Sequence, residues 1–156
     1  MNNSVFVNNT LGYDPPTIGV ATFDGLDASG SPYGGSKGIA DVLTSSFFDL
    51  QDYTQNDDVF LSFFIQPKGY GLRPRAEDFL RLEFLNSSGE WKLVKDYPGV
   101  SGTIAQDTSP AFQFFFVRLT QDFLHPAFQF RFSNINSRTG VRELWHLDYI
   151  RIKAVS

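Results

Sequence analysis

Cysteine is absent from this chain, and methionine occurs once in 156 residues. Without thiols there is no disulfide staple, no thiolate zinc site and no cysteine nucleophile, and the redox compartment is left open because exported domains also lack cysteine often enough. Positive charge is in short supply as well: 13 Lys and Arg stand against 17 Asp and Glu, a net charge of −4. That balance provides no broad basic field to steer nucleic acid or an anionic membrane surface, so no nucleic-acid partner is expected. No apolar run approaches the roughly twenty residues of a membrane span, so no membrane insertion is expected. Met1-Asn2-Asn3-Ser4 lacks the charged and apolar parts of a signal peptide, so for an exported parent the signal is expected to have been trimmed away or to lie upstream. Internal repeats, low-complexity tails and convincing amphipathic helices are missing too.

What the chain does have is phenylalanine: 17 of them, in a sequence that is 42% hydrophobic and 16% aromatic. Flat rings and β-branched residues suit pleated sheets, and the length suits one compact domain, residues 1–156, with a sizeable core. Period-two alternation bounded by turn formers marks strands at Ser4 to Val7, Ile18 to Phe23, Val42 to Leu50, Asp58 to Gln66, Phe79 to Asn86, Trp91 to Tyr97, Ala111 to Leu119, Ala127 to Ser133 and Trp145 to Lys153. The central run sets Val59, Leu61, Phe63 and Ile65 on one face and Phe60, Ser62, Phe64 and Gln66 on the other. Ser87-Ser88-Gly89-Glu90 reads as a hairpin turn, whereas the other connections are long, notably Asp24 to Gly38, Pro67 to Glu77 and Pro98 to Pro110. Strands at this spacing with few tight hairpins point to an all-β fold, a two-sheet antiparallel jelly-roll β-sandwich.

In the last strand the even positions become apolar at Ile150 and Ile152, so simple alternation places Asp148 on their core-facing side. An inward carboxylate must find a cation or several N–H donors. Ala40-Asp41-Val42-Leu43-Thr44-Ser45, Leu61-Ser62-Phe63-Phe64-Ile65-Gln66-Pro67-Lys68-Gly69, Asp78 to Phe84, Trp91, Phe128 to Phe132 and His146-Leu147-Asp148-Tyr149-Ile150 follow one another in order. Together they resemble the MAM-type jelly-roll domain, and more closely a related β-sandwich of large exported surface proteins of Bacteroidetes. The resemblance runs from about Ile18 to Lys153 and is carried by the order of short apolar motifs. It implies a non-catalytic adhesion or binding module, extracellular or at the cell surface, forming one piece of a longer exported protein, with a glycan or a surface protein as partner. Some related jelly rolls carry a structural calcium ion. The missing cysteines depart from the MAM pattern, so MAM partner specificity does not carry over.

Two constellations are candidates for a site. Asp24-Gly25-Leu26-Asp27-Ala28-Ser29-Gly30 offers two carboxylates, a hydroxyl and loop carbonyls, the hard oxygen donors that calcium takes. Early and last strands of a jelly roll lie close, so a calcium site built from Asp24, Asp27 and Asp148 is one expectation. The other is that Asp24 and Asp27 close Asx turns while Asp148 accepts backbone N–H groups from a loop. The second constellation is an outward polar stripe of Arg81, Glu83, Gln113, Gln129 and Arg131, with Trp91, Tyr97, Tyr70 and Tyr53 nearby. Amides, guanidinium groups and aromatic platforms hold sugars, which makes a carbohydrate-binding module attached to a polysaccharide-degrading enzyme the second functional reading. The same stripe also fits a solvated sheet face with cross-strand Arg and Glu pairs.

An enzyme is not expected. The laminarinase-type arrangement of two Glu flanking an Asp on one strand face is absent, since Phe79 to Asn86 holds only Glu83, with Glu77 and Asp78 at its entrance. A retaining pair needs carboxyls about 5 Å apart, and Glu83 with Asp78, Glu90 or Glu143 is the arrangement left open. His125 and His146 have no serine motif and no second histidine at metal-ligand spacing. His146 shares the parity of Asp148 and is expected at the rim of the core, bonded to a loop carbonyl.

Overall fold

The structure, a computed structural model, describes residues 4–35, 37–100, 108–136 and 143–155. Part of the Pro98 to Pro110 connection and Ser36 of the Asp24 to Gly38 loop therefore lie outside the described residues. Among them the strands are β1 (Phe6–Asn8), β2 (Val20–Phe23), β3 (Ile39–Thr44), β4 (Val59–Pro67), β5 (Phe79–Leu85), β6 (Trp91–Pro98), β7 (Gln113–Arg118), β8 (Phe130–Ile135) and β9 (Trp145–Ala154). They form one sheet in the order β1-β2-β9-β4-β7 and a second in the order β3-β8-β5-β6, with every named pairing antiparallel. From β2 onward every connection between successive strands crosses from one sheet to the other except the β5–β6 hairpin, which is the double Greek key of a jelly roll.

The third strand lies earlier than its sequence pattern suggests. Ile39 pairs with Ile135 and Thr44 with Arg131, whereas Phe48 makes only an isolated bridge to Phe128. Ser45 and Ser46 interrupt the run, and Phe47 is left exposed. The predicted hairpin turn is present: Asn86 Oδ1 accepts from the amides of Ser88 and Glu90, and Gly89 takes the left-handed conformation that the turn needs.

The core is the stack of inward rings between the layers. Phe63 from the five-stranded sheet sits edge-on to Phe132 of the other sheet at 5.0 Å between centroids, and edge-on to Tyr97 at 5.7 Å. Phe84, Phe123 and Phe128 form a second aromatic group. Val59, Leu61, Phe63, Ile65, Leu80, Leu82 and Phe84 are all buried, so the inward parities of β4 and β5 are those expected. The parity of β9 is not. Trp145 and Leu147 belong to the core, and so do Ile150, Ile152 and Ala154, one step out of phase. Ser62 pairs with Arg151 but Phe64 pairs with Asp148, so Tyr149 and Ile150 together face Phe63. This is a β-bulge, with Tyr149 at φ 50°. Asp148 therefore lies on the opposite side of the sheet from Ile150 and Ile152, a correction to simple alternation.

Candidate functional site

The outer side of the five-stranded sheet divides into a covered polar half and an open aromatic half. The loop between β1 and β2 is laid across the first. Gln66 grips it from both ends of its amide: Oε1 accepts from Tyr13 N at 2.8 Å, while Nε2 donates to the carbonyls of Tyr13 at 2.8 Å and Pro110 at 2.9 Å. Asp148 Oδ2 accepts from Thr17 N at 2.9 Å, and Oδ1 accepts from the Thr17 hydroxyl and from Tyr149 N. His146 completes the floor, with Nδ1 3.0 Å from Thr22 Oγ1 and Nε2 3.1 Å from the Lys68 carbonyl oxygen. A carbonyl only accepts, so Nε2 carries the proton and Nδ1 accepts from the hydroxyl. Burial of the ring pulls its pKa down from 6.5 to about 4. The loop-bonded readings of Asp148 and His146 thus match the geometry.

The other half is bare. Three cross-strand rows run from β7 over β4 to β9: Arg118-Phe60-Lys153, Phe116-Ser62-Arg151 and Phe114-Phe64-Asp148. Ser62 is the one small side chain at the centre of these rows, so the surface dips there into an open trough of about 340 Å³. Phe114 and Phe116 are 54% and 63% exposed, and Tyr149 is 46% exposed. Their rings are mutually supported, Phe64 lying 5.1 Å from Phe114, Phe116 6.0 Å from Phe114 and Phe60 5.8 Å from Phe116. The bulge aims Tyr149 here, and the Asp148 bond to Tyr149 N holds the bulge. Arg151 lies over the Tyr149 ring at 5.3 Å and donates to its hydroxyl at 3.2 Å. Several adjacent apolar rings on one open sheet face are unusual for a solvated surface and make this face the candidate site.

Sequence reasoning did not single out this trough. The signal was present in Phe60 and Phe64 opposite the inward residues of β4 and in the doubly aromatic run Phe112 to Phe116. Which rings of β7 point outward was decided by Phe115 and Val117 packing against the core.

The predicted polar stripe is split. Arg81, Glu83, Gln129 and Arg131 share the four-stranded sheet and its margin, but Gln113 belongs to β7 of the other sheet, paired with Ile65, a correction to the single stripe. Arg81 makes a bidentate pair with Asp96 at 2.8 and 2.9 Å, which raises its pKa. Arg131 Nε reaches Glu83 at 2.6 Å and stacks over Trp91 at 4.3 Å, and Gln129 Nε2 donates to the Ser45 carbonyl at 2.7 Å. These groups satisfy one another, as the cross-strand pairing alternative foresaw. Tyr97 is a core residue, and Tyr70 packs edge-on against Tyr13.

The three aspartates of the expected calcium site do not gather. Asp27 accepts from Ser29 Oγ, Ser29 N and Ser31 N in its own exposed loop, and these donors lower its pKa. Asp24 caps Leu26 N. Its charged neighbour is Asp41, a fully buried carboxylate raised to about 6 by desolvation, with Gly25 N and the Tyr33 hydroxyl donating to it at 2.7 and 2.9 Å. Asp148 is committed to Thr17 and Tyr149. Among the described residues no group of three or more His, Asp or Glu is placed to hold a metal.

One carboxyl pair does form, and it does not involve Glu83. Glu143 hydrogen-bonds Asp78, and burial followed by that contact raises the Glu143 pKa to about 7, with Arg75 Nε 3.1 Å away. Asp78 is 2% exposed and accepts from Arg75 N at 2.7 Å, so the pair clasps the loop before β5.

No family model matches the chain, and no curated protein matches it in sequence. Among solved structures it is similar to the enzymatically active domain of tailspike protein 4 from bacteriophage CBA120, with 12% identity and a TM-score of 0.51, over 98% of this chain and 18% of that one. At that identity the likeness is one of fold, and the chain spans under a fifth of that neighbour's length. No helix among the described residues is long and apolar enough to cross a membrane.

Proposed function

We propose that this chain is a non-catalytic extracellular binding module of a larger exported surface protein, and that it engages a glycan through the aromatic trough of the five-stranded sheet. The observation that carries this reading is the row of exposed, mutually buttressed rings around Ser62. Sugar rings present apolar C–H faces that lie flat on aromatic rings, and hydroxyls that suit the Tyr149 and Ser62 oxygens. The MAM-like order of motifs supports a binding role in the same direction. Glu83, the carboxylate within β5 on which the glycosidase reading turned, is paired with Arg131.

A glycan array probed with the chain tests the reading. Binding is expected, with an affinity at least about tenfold weaker in a Phe114→Ala/Phe116→Ala variant, as for aromatic anchors at other interfaces. Arg131→Ala should leave it intact. Silence across the array, or loss of binding only on Arg131→Ala, would overturn the assignment to the trough. The second reading, a carbohydrate-binding module attached to a polysaccharide-degrading enzyme, gains support from the likeness to part of an enzymatically active tailspike chain. A hydrolase encoded in the same reading frame would favour it.

A further inference from the structure

We infer that the ligand of the trough is an acidic glycan, a linear chain carrying uronate or sulfate groups. This rests on the glycan-binding reading and adds the charge of the ligand to it. The chain as a whole is acidic, with 13 basic against 17 acidic residues. The trough reverses that balance locally, because Arg151 and Lys153 line it and no carboxylate does.

Elsewhere on the sheets the basic groups are matched by acids, except Lys95 on β6. Arg81 is paired with Asp96, Arg131 with Glu83, Lys92 with Glu90, and Arg118, at the trough's end, with Asp58. Arg151 and Lys153 are exposed, and neither is ion-paired to a carboxylate among the described residues. Two cations without a carboxylate partner beside an open apolar floor, where four of the five other strand Lys and Arg are ion-paired, constitute charge complementarity toward an anion.

Geometry selects the kind of anion. The row Phe116-Ser62-Arg151 crosses three adjacent strands, so a ring stacked on Phe116 lies about 10 Å from the Arg151 backbone, within reach of a long guanidinium side chain. The guanidinium fork matches a carboxylate or sulfate edge, and Lys153, two residues along the same strand, meets the next acid group of a repeating chain as a point charge. A ligand that offers flat apolar ring faces and anions at a regular repeat satisfies both features at once. Single-stranded nucleic acid also combines stacking with charge, but it needs a basic groove tracking every phosphate, and this acidic chain supplies two cations.

The test is calorimetric titration of the intact chain with oligogalacturonate, alginate oligomers and a heparin oligosaccharide, against cello-, laminari- and xylo-oligosaccharides and a single-stranded oligothymidylate. Binding is expected for acidic glycans, weakening at least about tenfold between about 50 mM and 500 mM NaCl. It should be lost in an Arg151→Gln/Lys153→Gln variant whose circular dichroism matches the parent. Ser62→Leu, which fills the dip and leaves the charges, should also abolish binding. Equal binding of neutral glycans, insensitive to salt and to the double variant, would overturn the acidic assignment and keep the glycan reading. Binding of the oligothymidylate alone, no binding of any glycan, or a concentration-dependent dimer abolished by Phe116→Ala would overturn both.

Discussion

Lowering the pH from about 7 to about 4 is expected to loosen the sandwich at His146, because the imidazole is fully buried beneath the β1–β2 loop and its pKa is pulled down to about 4. In the unfolded chain the ring titrates near 6.5. A base whose folded pKa lies below its unfolded one favours folding while neutral. Its contribution is therefore complete above about pH 6.5 and is lost progressively as the pH falls toward 4. The interval of about 2.5 pH units, at about 1.4 kcal/mol each, amounts to about 3 kcal/mol, or about 6–12 °C in melting temperature for a domain of this size. Three carboxyls act in the opposite sense, Asp24 among them because burial raises its pKa. Glu143 and Asp41, raised to about 7 and about 6, stabilise most at low pH and lose that contribution as the pH rises through those values. The raw pH profile is a sum, so the His146 share is isolated by comparison with His146→Gln, which keeps a donor toward the Lys68 carbonyl and removes the titration. Urea unfolding of both proteins at pH 7 and pH 4 should show the stability gap between them changing by about 3 kcal/mol. Parallel profiles, or an NMR titration of the His146 ring with a midpoint near 6.5, would refute the reasoning.

Glu143→Gln should flatten the decline in stability between about pH 4.5 and pH 7, by on the order of 1–2 kcal/mol after allowance for solvent screening; an unchanged slope in a pH series of thermal melts would argue against a Glu143 carboxyl raised by burial. Gly69→Ala should destabilise by several kcal/mol, because φ at Gly69 is +57° and an added Cβ would collide with the Leu11 carbonyl oxygen and the His146 ring. A midpoint within experimental error of the parent in urea would show that the loop does not rest on the sheet as described. EDTA is expected to leave the melting temperature unchanged, since Asp24, Asp27 and Asp148 are engaged with separate partners. A drop in melting temperature restored by calcium would show that an ion draws them together.

Much of the architecture was legible because its signals are local. Alternation located β4, β5, β6 and β9 to within about two residues, and the hairpin turn carried its own Asn and Gly chemistry. β3 was displaced because Val42 to Leu50 continues the apolar pattern past Thr44, while the regular Cα register with β8 stops at Thr44, Ser45 N makes the last ladder bond to the Phe130 carbonyl, and only the isolated Phe48–Phe128 bridge follows. The polar stripe was half legible: alternation correctly turned Arg81, Glu83 and Arg131 outward, but strand order alone separates Gln113 from them. The aromatic trough was illegible for a related reason. In β7 both parities are aromatic, and only the partner sheet shows that Phe115 is the ring the core takes.

The sequence alone determined that this protein is an all-β sandwich with a phenylalanine core, because the period of apolar residues and the placement of turn formers act over a few residues and need no partner. Tertiary structure decided which groups meet. The left-handed residue at Tyr149 shifts β9 by one position, which sends Ile150 and Ile152 to the core, places Asp148 under the loop and brings Tyr149, Arg151 and Lys153 to the open face. Period-two reasoning cannot foresee a bulge, because the extra residue is accommodated only when the neighbouring strand and the capping carboxylate are in place.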